Sequence, residues 1–265
     1  MEHFFLEYKE ELLYVVLHYP KMKEVKGAFV LLAGLGENLC DLDYFMKSLA
    51  SDLAENGFLV LQVDLMGHGE STGIFSDICN ERIIEETLFC ISILKDKGYE
   101  NIGLICRGYL SNLLSREITK GYINFFLGIS PIKLFTTDLQ KIGNVLHEDF
   151  LLKKIYELFS NPKDVDRFVI ALGSEPVNLY TESITKKFLT QIVDVLYLED
   201  DENDSFEKFM LSFDIIDEKI LVNKKISDIE PKTLSYYEGY AFQRNICTQS
   251  MLRIKIISIV CRCFG

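Results

Sequence analysis

The chain has 265 residues, 48% hydrophobic and 26% charged, with 28 basic against 40 acidic residues and a net charge of −12 at pH 7. That length suits one α/β-type domain, with room for an appendage and a sizeable core, and the acidic balance speaks against a nucleic-acid partner, which needs a basic face. Met1-Glu2-His3-Phe4-Phe5 lacks the basic-then-apolar order of a signal peptide, and no apolar run approaches the roughly 20 residues that cross a bilayer, so a soluble, cytoplasmic protein is expected.

Short apolar strands alternate with longer helical patterns along the chain. Phe4 to Tyr8 and Leu12 to Leu17 flank Lys9-Glu10 and predict an opening hairpin. Gly27 to Leu32 is almost continuously apolar, as a strand covered on both faces should be. A helix from about Leu42 to Glu55 carries Phe45, Leu49 and Leu53 at i, i+4, i+8 and stops at Asn56-Gly57. Phe58 to Val63 reads as a second buried strand, and a helix near Glu81 to Lys97 stripes Ile84, Leu88, Ile91 and Leu94 before Gly98.

Ile102 to Ile105 is the next strand, and a helix follows from Tyr109 to about Thr119. Between them, Leu104-Ile105-Cys106-Arg107-Gly108 has the setting of a sharp strand-to-helix turn that lifts one side chain above an α/β sheet. Ile123 to Leu127, Phe168 to Leu172 and Val193 to Leu198 complete the strand series. Regular alternation of this kind implies a mainly parallel sheet with helices on both faces. The interval from about 131 to 166 is too long for a simple crossover and is amphipathic, which predicts a small helical cap. Residues 1–222 are therefore expected to form the core, with the cap inserted, and 223–265 a C-terminal extension of unassigned role. Within it, Ile254 to Val260 reads either as an extra strand or as an apolar docking segment.

Three stretches resemble the α/β-hydrolase superfamily, over roughly residues 3 to 215. Val30-Leu31-Leu32-Ala33-Gly34-Leu35-Gly36 is similar to the family's strand ending in His-Gly-x-Gly, with alanine replacing the histidine. Asp64-Leu65-Met66-Gly67-His68-Gly69-Glu70-Ser71 matches the Asp-x-x-Gly-x-Gly-x-Ser turn after the fourth strand and is the most specific of the three. The pentad around Cys106 looks like that of acyl hydrolases carrying cysteine before x-Gly, related to exosortase-associated hydrolases. The resemblance implies an eight-stranded α/β-hydrolase sheet. It also implies an acyl ester or thioester hydrolase, or an acyltransferase, acting on a small-molecule acyl substrate.

Within that resemblance Cys106 takes the nucleophile's place, where the dipole and free amides of the next helix would favour a thiolate. The amides of Leu35 and Arg107 would form the oxyanion hole. Glu175, in Gly173-Ser174-Glu175-Pro176, takes the place of the family's acid. The family's histidine belongs in a loop that here reads Leu198-Glu199-Asp200-Asp201-Glu202-Asn203-Asp204-Ser205-Phe206, with none present. Of the four histidines, His3 and His18 lie on the opening hairpin, His68 in the structural turn, and His147 in the proposed cap. His147 is the candidate displaced base. The missing histidine opens an alternative, a hydrolase-fold protein without catalysis that binds a ligand or protein partner.

Seven cysteines (40, 79, 90, 106, 247, 261 and 263) are an odd, unrepeated set, expected to be thiols. Cys261-x-Cys263 with Cys247 lacks the paired spacing of a zinc site, and the acidic run at 200–204 lacks the glycine and glutamate spacing of a calcium loop. No metal and no cofactor is expected, and oligomeric state is left open.

Overall fold

A computed structural model describes residues 1–40, 44–118, 121–129, 191, 207–211, 221–222 and 246–265. The hairpin forms as expected: β1 (Glu2–Tyr8) pairs antiparallel with β2 (Glu11–His18) around Lys9-Glu10. Next come β3 (Gly27–Leu32), α1 (Phe45–Glu55), β4 (Phe58–Val63), α2 (Asn80–Asp96), β5 (Ile102–Arg107), α3 (Tyr109–Glu117) and β6 (Phe125–Ile129). After these the described elements are β7 (Glu207–Leu211), β8 (Leu221–Val222) and α4 (Ile246–Phe264).

Among the described residues the sheet runs β1-β2-β4-β3-β5-β6-β7-β8. The contiguous strands β4, β3, β5, β6 and β7 are mutually parallel, while β1, β2 and β8 meet their neighbours antiparallel. β3 to β6 are buried at every position, because helices cover both sides and leave neither face for polar residues.

The strand period of two divides the core into two clusters. Ala28, Val30 and Leu32 of β3, with Ile102 and Leu104 of β5, point toward α2 and α3. Phe29 and Leu31, with Ile105, point the opposite way, toward α1 and α4. On that second face Phe29 meets Phe58 edge-on at 5.3 Å and Phe125 at 5.8 Å, and Phe264 of α4 lies 5.2 Å from Phe29. Aromatic rings in such tilted and edge-on arrangements gain energy beyond their burial.

Two described elements, β7 and α4, stand outside the expected series. The segment paired with β6 is Glu207–Leu211, whose leading Glu207-Lys208 disguises a strand next to apolar Phe209-Met210-Leu211. The expected strands at 168–172 and 193–198, and the cap at 131–166, lie outside the described residues. The tail is also no appendage at its end. α4 buries Leu252, Ile256, Ile259 and Val260, spaced i, i+4, i+7, i+8, against the α1 face of the sheet. Its isoleucine-rich run suggests a strand, but helical spacing of the buried positions outweighs β-propensity. Arg253 Nε donates to Asp52 Oδ2 at 2.8 Å, joining α4 to α1.

Candidate active site

β5 ends at Arg107 and α3 begins at Tyr109, so the turn between them is a single residue, Gly108. Its φ of 60° and ψ of −133° lie in territory that side-chain-bearing residues enter only under strain. Its amide donates to the carbonyl of Ile129 at 2.9 Å, fastening the turn to the end of β6. This is the strained position at which a nucleophile elbow presents its side chain. In this chain the position carries none.

Cys106 lies two residues upstream, inside β5. Strand alternation puts it on the same face as Ile102 and Leu104, within the α2–α3 core, and it is 0% exposed. Burial drives its thiol well above the ordinary range, with a smaller opposing pull from the Ser111 hydroxyl. Cys106 is thus a buried strand residue on a helix-covered face and not the residue at the turn. Ser111, the first serine after the turn, donates to the Cys106 carbonyl at 2.8 Å and is itself fully buried.

Of the two expected oxyanion donors, Arg107 is the last residue of β5 and is 2% exposed. Leu35 does stand just past the end of β3, next to a turn closed by Glu37 N donating to Gly34 O at 3.0 Å, and its side chain is buried. Tyr109 is fully buried, and its hydroxyl donates to Asn80 Oδ1 at 2.6 Å at the start of α2. His147, Glu175 and the acidic run at 199–206 lie outside the described residues. Sequence reasoning missed Gly108; strand parity from Leu104 to Cys106, together with glycine at the strand–helix junction, is the signal that points to it.

The turn after β4 is the best-built feature near this edge. The Asp64 carboxylate accepts the amides of Leu39 and of Glu70, the latter at 3.0 Å, and Ser71 donates its hydroxyl to the Asp64 carbonyl. Gly69, at φ 48°, leaves room where a Cβ would run into that carboxylate. Burial raises Asp64 from its ordinary 3.8 to about 6, against the pull of the two amides. His68 is 5% exposed, its Nδ1 is 2.9 Å from the Met66 carbonyl, and its ring sits edge-on to Phe75 at 5.2 Å. Desolvation lowers its pKa, so the imidazole is held neutral. His68 and the ends of β3 and β4 line a cavity of about 10 Å³, room for roughly one water. His18 is also committed, 2.7 Å from Gln62 Oε1.

Among the described residues no group of three or more His, Cys, Asp and Glu side chains is placed to hold a metal ion, and no helix is long and apolar enough to cross a membrane.

The strand order, with a one-residue strand-to-helix turn after β5 and helices on both faces, defines a mainly parallel α/β sheet fold. No family model matches the chain, and no curated protein matches it. Among solved structures it is similar to Est1E from Butyrivibrio proteoclasticus with ferulic acid bound, at 18% identity and TM-score 0.45 over 48% of this chain and 52% of that one. It is likewise similar to a soluble variant of the Saccharomyces cerevisiae monoglyceride lipase with a substrate analogue, at 14% identity and TM-score 0.43 over 63% and 52%. A third likeness is to a thioesterase domain from the curacin biosynthetic pathway, at 14% and 0.45 over 77% and 68%. The match takes in about half the length of the first two proteins.

Proposed function

We propose that this chain is a hydrolase-fold protein without covalent catalysis at its elbow, which acts by binding a ligand or partner rather than by turning over an acyl group. One observation carries the reading: the residue at the strained turn is Gly108, and the thiol and hydroxyls within three residues of it, on Cys106, Tyr109 and Ser111, are all buried. Without a side chain at the turn, no atom of that residue can attack a carbonyl. A thiol whose pKa is raised by burial is a poor substitute, because the thiolate is the reactive form.

The competing reading is an acyl ester or thioester hydrolase with Cys106 as nucleophile, Glu175 and His147 in support and Leu35 and Arg107 as oxyanion donors. It requires the Cys106 sulfur to leave the α2–α3 core. The two separate in one assay. A panel of short and long acyl esters and thioesters is given to the full chain and to Cys106→Ala. No turnover above the uncatalysed rate in either protein is the expected result. Turnover by the full chain that is lost in Cys106→Ala would establish the hydrolase instead.

A further inference from the structure

We propose that the chain associates with a second copy of itself through antiparallel pairing of β1 with β1, centred on Phe5, independently of any chemistry at the Gly108 turn. β1 stands at the end of the strand order, and among the described residues no strand lies beyond it. The hydrogen-bond phase of the hairpin shows which of its backbone groups face outward. Leu12 and Tyr14, opposite Glu7 and Phe5, direct their backbone away from β1. Leu12 N donates to Thr72 Oγ1 at 2.8 Å and Tyr14 N to Ser71 Oγ at 2.7 Å, while their carbonyls accept from Thr72 N and Asp64 N, each at 3.0 Å. Residues facing each other across such non-bonded pairs turn their amides and carbonyls outward. The outer edge therefore presents the backbone groups of His3, Phe5 and Glu7.

Exposed edges of this kind are commonly blunted by charge, and β1 carries Glu2 and Glu7. In a two-fold antiparallel pair centred on Phe5, however, the glutamates never meet each other. His3 opposes Glu7 of the second copy, Phe5 opposes Phe5, Phe4 opposes Leu6, and Glu2 opposes Tyr8. Of the registers that match outward backbone groups, this one overlaps all seven residues of β1 and also places imidazole opposite carboxylate, twice. A two-fold interface must be self-complementary in this sense. The side chains on the exposed side of the hairpin fit as well. Phe5 is 50% exposed although its ring already lies 5.4 Å from Tyr14, and Leu12 is 42% exposed. His3 Nδ1 is 2.7 Å from the Tyr14 hydroxyl, which orients the ring and leaves its second nitrogen for the carboxylate opposite.

The test is a charge exchange read by sedimentation equilibrium on the full chain, over about 1 to 100 µM, with circular dichroism to confirm folding. The unmodified chain is expected to form a dimer in this range. His3→Glu places carboxylate against carboxylate at both ends of the pairing and should weaken dimerisation roughly tenfold or more. Glu7→His in the same chain restores the opposite pairing and should recover the dimer. Phe5→Pro removes an outward amide without touching the β1–β2 ladder and should also weaken it. A monomer throughout, a dimer indifferent to His3→Glu, or a His3→Glu defect that Glu7→His fails to rescue would each overturn the proposal.

Discussion

Gly108 and Ile129 are joined by a backbone hydrogen bond of 2.9 Å that anchors the turn after β5 to the end of β6. The turn is thus held in its strained geometry by the sheet itself. Gly108→Ala keeps this bond but forces a Cβ into φ 60°, ψ −133°. It should lower unfolding free energy by about 1–3 kcal/mol, measured by urea denaturation. An unchanged midpoint would mean that the turn relaxes freely and is not a fixed elbow.

Thiol chemistry should report the same architecture. In the native protein Cys106 and Cys90 are sealed in the α2–α3 core while Cys263 is exposed. Iodoacetamide followed by peptide mass mapping should modify Cys263 readily and leave Cys106 and Cys90 unmodified until denaturant is added. Rapid native labelling of Cys106 would contradict its place in β5.

The C-terminal helix should behave as core. Ile256 is fully buried among the α1-facing residues. Ile256→Ala should therefore cost about 2–5 kcal/mol. Arg253→Ala, which breaks a partly exposed pair with Asp52, should cost no more than about 1 kcal/mol. Equal effects from the two changes would argue that α4 is only loosely docked.

Asp64 makes a prediction about pH. Its folded pKa, about 6, lies above the ordinary 3.8, so the folded state holds this proton through a window in which the unfolded chain has lost it. The stabilisation from Asp64 is therefore full below about pH 4 and is lost as pH rises to about 6. His68 works the other way: with its pKa lowered by burial, its contribution is present above 6.5 and is lost as pH falls toward the folded value. Asp64→Asn leaves the His68 contribution in place and removes the other. Compared with the parent, the variant should lose stability more steeply on acidification from about pH 7 to about pH 4, by on the order of 2 kcal/mol. Parallel pH profiles in urea titrations would show that Asp64 does not titrate in this window.

Much of the scaffold was legible because its signals are local. The all-apolar strands at Gly27–Leu32 and Phe58–Val63 announce burial on both faces, and the striped helices end at Asn56-Gly57 and Gly98, as their sequences suggest. The Asp64-to-Ser71 turn is legible too, since Asp64 bonds to Glu70 and Ser71 within the same short stretch. The turn after β5 is less legible: a short motif does not tell which residue leaves the strand, because a strand's faces are set by parity and its end by hydrogen bonding to neighbours. β7 is hidden for a related reason: it opens with the charged pair Glu207-Lys208, and its pairing with β6 is not written in any local pattern.

The amino-acid sequence alone therefore determined the alternating elements and the two-sided burial of the sheet, because hydrophobic period and helix stops act over a few residues. Only the packed structure decided that Cys106 faces inward, that Gly108 makes the turn after β5, and that the last helix covers the second face. Each of these depends on partners far away in the chain, Ile129 for Gly108 and Phe29, Phe58 and Phe125 for Phe264, which no local pattern specifies.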